Sequence, residues 1–115
     1  RYAMRSAAVS IGDRTHVAPG VLLPHGQVVI DGFVEIGAGA RIRPFVTIGL
    51  RERDLTGPTI GARVKIGTGA KVIGPITVGD DAVIGANAVV VDDVARGQVV
   101  VGAPARPAIP RVKLL

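Results

Sequence analysis

Between Ile60 and Val94 an aliphatic residue returns at every sixth position: Ile60, Ile66, Val72, Val78, Ile84 and Val90. Four residues after each comes a small or β-branched one, Val64, Ala70, Ile76, Ala82, Ala88 and Val94. Glycine directly follows four of the six aliphatic positions, at Gly61, Gly67, Gly79 and Gly85. This is neither the helical period nor simple strand alternation. A short fixed period marks a repeat architecture, in which no unit buries its apolar edge alone and each must stack on the next. Six residues with glycine at the corners read as one short strand plus a turn, and three such hexads close one coil of a parallel β-helix.

Stacking residues 18 apart predicts the ladders of that coil. Ile30, Ile48, Ile66 and Ile84 form one column, Ile42, Ile60 and Val78 a second, and Ile36, Asp54, Val72 and Val90 the third. An unpaired buried carboxylate costs far more than one rung of packing returns, so Asp54 is expected to face outward. The segment 49–59 (GLRERDLTGPT) then leaves the coil as an external loop, the first place to look for function. Further hexads begin at Ile11, Val17 and Leu23, which predicts a β-helix over 11–95 after a lead-in over 1–10. Beyond Val94 the period fails, and Pro104, Pro107 and Pro110 argue against a closing helix. The segment 96–115 is expected to pack as an extended cap that protects the open edge of the last coil.

Composition narrows the class. A chain of 115 residues makes one domain with little core to spare. Its 16 glycines are about twice ordinary usage, and turns account for them. Aromatics are 3% while hydrophobics are 48%, the balance of a narrow prism lined by Val, Ile, Leu and Ala. With no cysteine, a disulfide scaffold and a thiolate zinc site are excluded. No apolar run approaches the roughly 20 residues that span a bilayer, and no signal-peptide core is present, so a cytoplasmic location with no membrane partner is expected. The chain begins at Arg1 and not at Met, which leaves room for residues upstream. A net charge of +5 is spread among coils and tail without interleaved aromatics, which argues against a nucleic-acid surface; a phosphate-bearing small ligand suits a few arginines better.

The unit LPHGQVV, from Leu23 to Val29, has seven residues where its neighbours have six. An inserted residue in a regular coil must bulge, and bulges re-aim side chains next to active sites. His25 sits in that unit, and imidazole is the side chain whose ordinary pKa suits proton transfer near neutrality. His25 is therefore the candidate catalytic residue, against the plainer reading of a surface corner histidine. His16 falls on a regular corner and reads as surface.

From Ser10 to Arg106 the chain resembles the hexapeptide-repeat acyltransferases, in their serine acetyltransferase-like branch. The stretches that carry the likeness are GVLLPHGQVVIDGFVEIGAGARIRPFVTIG, then PTIGARVKIGTGAKVIGPITVGDDAVIGANAVVVDDV, and the closing VVVGAPARP. The resemblance implies a left-handed parallel β-helix, a homotrimer with active sites between subunits, and transfer of an acetyl group from acetyl-CoA to a hydroxyl, without a metal. It places His25 as the general base. It lays the pantetheine arm along positions that match Gly67, Thr68, Gly85 and Ala86, with Pro104 stiffening the GAPARP segment and Arg106 near the coenzyme phosphates. Gly and Ala at repeat corners also have a plain structural explanation. Lys71, Arg111 and Lys113 are further candidates for the phosphate charge.

The departures from the family pattern are equally specific. Ser10 stands where the family has the carboxylate that orients the histidine, leaving Asp13 as a substitute, and Pro24 replaces the acidic residue just before it. Gly57 matches the loop histidine of the serine enzymes, and the helical domain that precedes their repeat is not part of the likeness. These changes remove groups that hold a zwitterionic serine and keep the coenzyme side, which points to a sugar or small-metabolite hydroxyl as acceptor. Serine itself and a non-catalytic trimeric scaffold are the alternatives. A zinc carbonic anhydrase on the same fold needs three histidines, and only His16 and His25 are present. IGAGAR and IGTGAK lack the context of a nucleotide-binding loop, and no Ser-His-Asp system is apparent.

Overall fold

The computed structural model describes residues 10–12, 14–24, 26–52 and 54–108. Inward Ile and Val alternate with outward polar residues, so each strand is only long enough to cross one face of a prism. The first coil holds β1 (Ser10–Ile11) and β2 (Thr15–Val17), the second β3 (Val29–Ile30), β4 (Phe33–Ile36) and β5 (Arg41–Ile42). The third holds β6 (Thr47–Gly49), β7 (Thr56–Ile60) and β8 (Lys65–Ile66), and the fourth β9 (Lys71–Ile73), β10 (Thr77–Val78) and β11 (Val83–Ile84). The fifth holds β12 (Val89–Val90) and β13 (Val99–Val101), after which β14 (Arg106–Pro107) turns back. Three parallel sheets result: β1-β3-β6-β9-β12, β2-β4-β7-β10, and β5-β8-β11-β13. The core is the inside of the prism, aliphatic throughout, with no buried polar or charged residue among those described. No helix among the described residues is long and apolar enough to cross a membrane.

The ladders differ from those expected. Ile48 stacks on Val72, Ile36 on Ile60 and Ile42 on Ile66. The external loop ejects one whole hexad between the first and second sheets, so every column shifts by one face as it crosses the third coil. The columns are Ile30–Ile48–Val72–Val90, Ile36–Ile60–Val78 and Ile42–Ile66–Ile84–Val100. Asp54 is exposed, as its charge requires, but the excursion is shorter than 49–59: β6 ends at Gly49 and β7 begins at Thr56. The coil also persists past 95. Val94 bridges Val78 and Val100 stacks on Ile84, both 16 residues apart because the one corner between Val90 and Val94 is two residues short of the regular one. The edge cover is β14, which pairs antiparallel with β13.

Corners need left-handed backbone, supplied at successive levels by Gly39, Arg63, Asp81 and Gly97 on one corner and by Gln27, Phe45, Gly69 and Asn87 on another. They also need close approach. A Cβ at Gly37 would lie 2.6 Å from the amide nitrogen of Ala62 and from the carbonyl carbon of Gly61, backbone atoms of the next coil that cannot step aside. Gly37→Ala is therefore expected to pry two coils apart at a cost of about 1–3 kcal/mol. A thermal melt no lower than wild type would contradict this.

Candidate active site

Of the sequence-predicted residues, Gly67, Thr68, Gly85, Ala86, Pro104 and Arg106 are described, and they lie along or next to the corner between the third and first sheets. Its lowest rung runs from Leu22 to Gln27. Leu22 bridges to Arg41 and accepts the Ile42 N–H at 2.9 Å, and Gln27 accepts the Phe45 N–H at 2.7 Å. The inserted residue thus falls between Leu22 and Gln27, in a turn closed by Gly26 N–H donating to the Leu23 carbonyl at 3.3 Å. Gly26 and Gln27 take φ of 70° and 56° there. His25 itself lies outside the described residues, as do Asp13, Arg111 and Lys113.

One rung above that turn the corner carries Arg43, Pro44 and the exposed ring of Phe45, whose amide donates to Gln27 O; the two rungs beyond it carry only small residues. Gly67 N–H donates to Ile84 O at 2.8 Å, Gly85 N–H to Val100 O at 2.9 Å, and Asn87 N–H to Thr68 O at 2.8 Å. Gly67 and Gly85 therefore occupy one column, with Thr68 and Ala86 exposed beside them. The amides of Thr68 and Ala86 find no backbone acceptor among the described residues, so they remain able to donate to a ligand. Coil stacking alone dictates Gly67, because a Cβ there would lie 2.6 Å from the Ala86 nitrogen. The same absence of side chains lets a ligand reach backbone.

The top of the corner is the turn 102–105, tied down by Val89 N–H to Gly102 O and Ala105 N–H to Val89 O, both 2.9 Å. Pro104 is exposed on it, and Arg106 leaves it as the register partner of Val101. The Arg106 guanidinium is exposed; Nη1 donates to Ala105 O at 3.0 Å and lies 4.0 Å from an Asp92 carboxylate oxygen. Lys71 donates from Nζ to the Gly69 carbonyl, which turns it back along its own corner. The external loop occupies a different corner, between the first and second sheets. Leu50 covers Gly32, and Arg51 passes Gly74 to donate to the Val91 carbonyl at 2.8 Å, so the loop is strapped along several coils.

The third corner is held electrostatically. Arg63 meets Asp81 in a fork, Nε to Oδ1 at 2.8 Å and Nη2 to Oδ2 at 3.1 Å. The hydrogen bond from Arg63 holds the Asp81 carboxyl below its usual range and raises the guanidinium in return. A carboxyl held low in the fold contributes above its ordinary titration range and loses that contribution as pH falls through the lowered value. Both groups are solvent-exposed, so salt screens the pair.

A family model of the bacterial transferase hexapeptide (six repeats) matches residues 57–92. Among solved structures, the Neisseria gonorrhoeae serine acetyltransferase in complex with serine superposes with a TM-score of 0.80 at 38% identity, covering 86% of this chain and 42% of that one. The soybean serine acetyltransferase apoenzyme gives 0.82 at 35% identity, over 88% of this chain and 43% of that one. Isoform 3 from Entamoeba histolytica, in complex with cysteine, gives 0.80 at 32%, over 96% and 41%. The chain belongs to the hexapeptide-repeat family, in its serine acetyltransferase-like branch. Its prism is a left-handed β-helix. It spans about two fifths of the length of the serine acetyltransferases it matches. No curated protein sequence matches it.

Two positions of this hexapeptide-repeat chain look different in the fold than in the sequence. Gly57 is not in the loop but inside β7, buried, where a Cβ would meet Val34 Cγ2 at 2.6 Å; no imidazole fits there. Ser10 is an exposed residue of β1, register partner of Val29. His16 lies on the outer face of the second sheet beside Glu35, on a face of its own and away from the Gly67–Gly85 column. Among the described residues no three His, Cys, Asp or Glu side chains converge as metal ligands would. The residues that sequence reasoning missed are Arg41, Arg43 and Lys65, which meet on the third sheet. Their juxtaposition becomes readable only once the loop's extra hexad is removed from the count.

Proposed function

We propose that the protein is an acetyl-CoA-dependent O-acetyltransferase, working in the cytoplasm as a homotrimer. The observation that carries this reading is the corner on which Gly67, Thr68, Gly85 and Ala86 stack in successive coils between the inserted turn at Leu23–Gly26 and Arg106. Coils stack about 4.8 Å apart, so from the first coil to the fifth this track runs roughly 19 Å, a length suited to an extended pantetheine arm. The thioester then lies at the turn and the phosphates near Arg106.

In the reaction, the His25 imidazole takes the proton from the acceptor hydroxyl as its oxygen attacks the thioester carbonyl. Backbone N–H groups of the corner stabilise the resulting oxyanion, and collapse of the tetrahedral adduct expels the coenzyme thiolate, which recovers the proton from the imidazolium. The strapped loop lies one face away from this corner within a chain, which supports a site completed by a neighbouring subunit. The acceptor is read as a sugar or small-metabolite hydroxyl, because Gly57 and Ser10 cannot supply the imidazole and carboxylate found at the matching positions of the serine enzymes. Serine is the second reading, favoured by the 38% identity to an enzyme solved in complex with serine.

Calorimetric titration with acetyl-CoA and coenzyme A tests the donor side. Arg106→Ala is expected to weaken binding by up to about fivefold, the scale of one exposed charged contact. An intact protein that binds no coenzyme A would favour the scaffold reading and end this one.

A further inference from the structure

Arg41 of β5 and Lys65 of β8 are register partners on adjacent strands, both on the solvent side of the third sheet. Arg43 lies two residues beyond Arg41, with its amide donating to Ile66 O at 3.1 Å, just beneath Gly67. Like charges side by side in a sheet repel. Among the described residues the ion pairs are Arg63–Asp81 and Arg106–Asp92, and neither involves these three cations. The surface between them is concave. A depression of about 170 Å³ is lined by Arg41, Arg43, Lys65, Gly67 and Val83. Across the Arg41–Lys65 ridge lies a wider one of about 550 Å³ that reaches Gly39 and the Arg63–Asp81 pair. Arg63 is neutralised by its partner, so the uncompensated charge is concentrated at the end that opens onto Gly67.

Position along the coil decides which anion this serves. Arg41 and Arg43 belong to the second coil and Lys65 to the third, one and two rungs above the Leu23–Gly26 turn, hence about 5 to 10 Å along the axis. The coenzyme phosphates of the proposed reaction lie beyond the fourth coil, at Arg106. The cations therefore flank the reacting end, within a few bonds of an acceptor hydroxyl. A neutral sugar would leave them uncompensated, and an amino acid would bring its ammonium into their midst. We propose that Arg41, Arg43 and Lys65 form a subsite for the phosphate of a phosphorylated hydroxyl compound, the acceptor. The assignment of this phosphate to the acceptor rests on the O-acetyltransferase reading; the anion site does not.

The test titrates isotope-labelled protein with inorganic phosphate, sn-glycerol 3-phosphate and glycerol, holding ionic strength constant with chloride. The two phosphates are expected to shift the amides of Arg41, Arg43, Lys65 and Gly67, and glycerol to leave them in place. In an Arg41→Ala/Lys65→Ala variant the phosphate affinity should fall at least tenfold while coenzyme A affinity stays within about twofold of wild type. Phosphate shifts confined to the Arg106 region, or chloride competing as well as phosphate does, would overturn the subsite. A parallel loss of coenzyme A affinity in the variant would reassign the cations to the coenzyme and overturn the acceptor proposal. Phosphate binding at Arg41–Lys65 in a protein that takes no coenzyme A would support the anion site and sink only the transferase reading.

Discussion

A His25→Ala variant is expected to lose about 10² to 10⁴ in turnover, the contribution of one well-placed general base, while binding coenzyme A as wild type does. The argument starts from chain length. The coil rises by a fixed rung, and from β3 upward the inward residues of successive coils pair in register, with the sequence spacing broken at the external loop and at the short corner between Val90 and Val94. Between Leu22 and Gln27 one residue more is fitted than between Arg41 and Phe45, though both ends are tied to the coil above. An inserted residue in an otherwise closed ladder must depart from the wall of the prism. In the sequence His25 belongs to the seven-residue unit from Leu23 to Val29, and the proposed reaction sets the thioester beside it. On the proposed mechanism the imidazole takes the acceptor's proton, whereas the stacked glycines meet only the arm. The two variants therefore separate: His25→Ala should lower kcat with little change in coenzyme affinity, and Arg106→Ala the reverse. A His25→Ala enzyme turning over at the wild-type rate would remove the histidine from the mechanism; one that also loses coenzyme affinity would move it to the binding strip.

What could be read from the sequence and what could not divide along a physical line. Hexads are local, so Ile60, Ile66, Val72 and their successors announce inward positions, and all are buried. The charge at Asp54 announced a loop by the same local reasoning. Which residue stacks on which is a non-local property. Ejecting Leu50–Leu55 cost one hexad of register, so Ile48 meets Val72 and not Ile66. The same shift hid the adjacency of Arg41 and Lys65, which the period of 18 would place on different faces. Near the end of the repeat, Val94 and Val100 keep their inward places after one shortened corner between Val90 and Val94, a change of spacing that reads in the sequence as loss of the repeat. The corner that carries Gly67 and Gly85 was legible because glycine recurs wherever one coil's backbone touches the next. For that reason glycine alone could not distinguish a ligand track from a stacking requirement; the proposal of a track rests on the inserted unit below it and Arg106 above it.

Ile48→Ala is expected to cost about 2–5 kcal/mol of unfolding free energy, the range for removing a large aliphatic side chain from a site that cannot collapse. Ile48 is fully buried in the third coil, between Ile30 and Val72 of the Ile30–Ile48–Val72–Val90 column. Its neighbours above and below belong to strands whose spacing is set by backbone hydrogen bonds, Asp31 N–H to Ile48 O at 2.9 Å among them. The coils therefore cannot slide together to fill the cavity, and the cost should lie in the upper part of the range. The shifted register adds a sharper expectation. Ile48 and Val72 share one column, so the Ile48→Ala/Val72→Ala double variant should depart from additivity by about 0.5–3 kcal/mol in a urea-denaturation cycle. Ile48 and Val100 lie in different columns two coils apart, and their double variant should be additive within about 0.5 kcal/mol. Additivity for Ile48 with Val72 would mean that the loop does not displace the ladder, and the adjacency of Arg41 and Lys65, which depends on the same displacement, would fall with it.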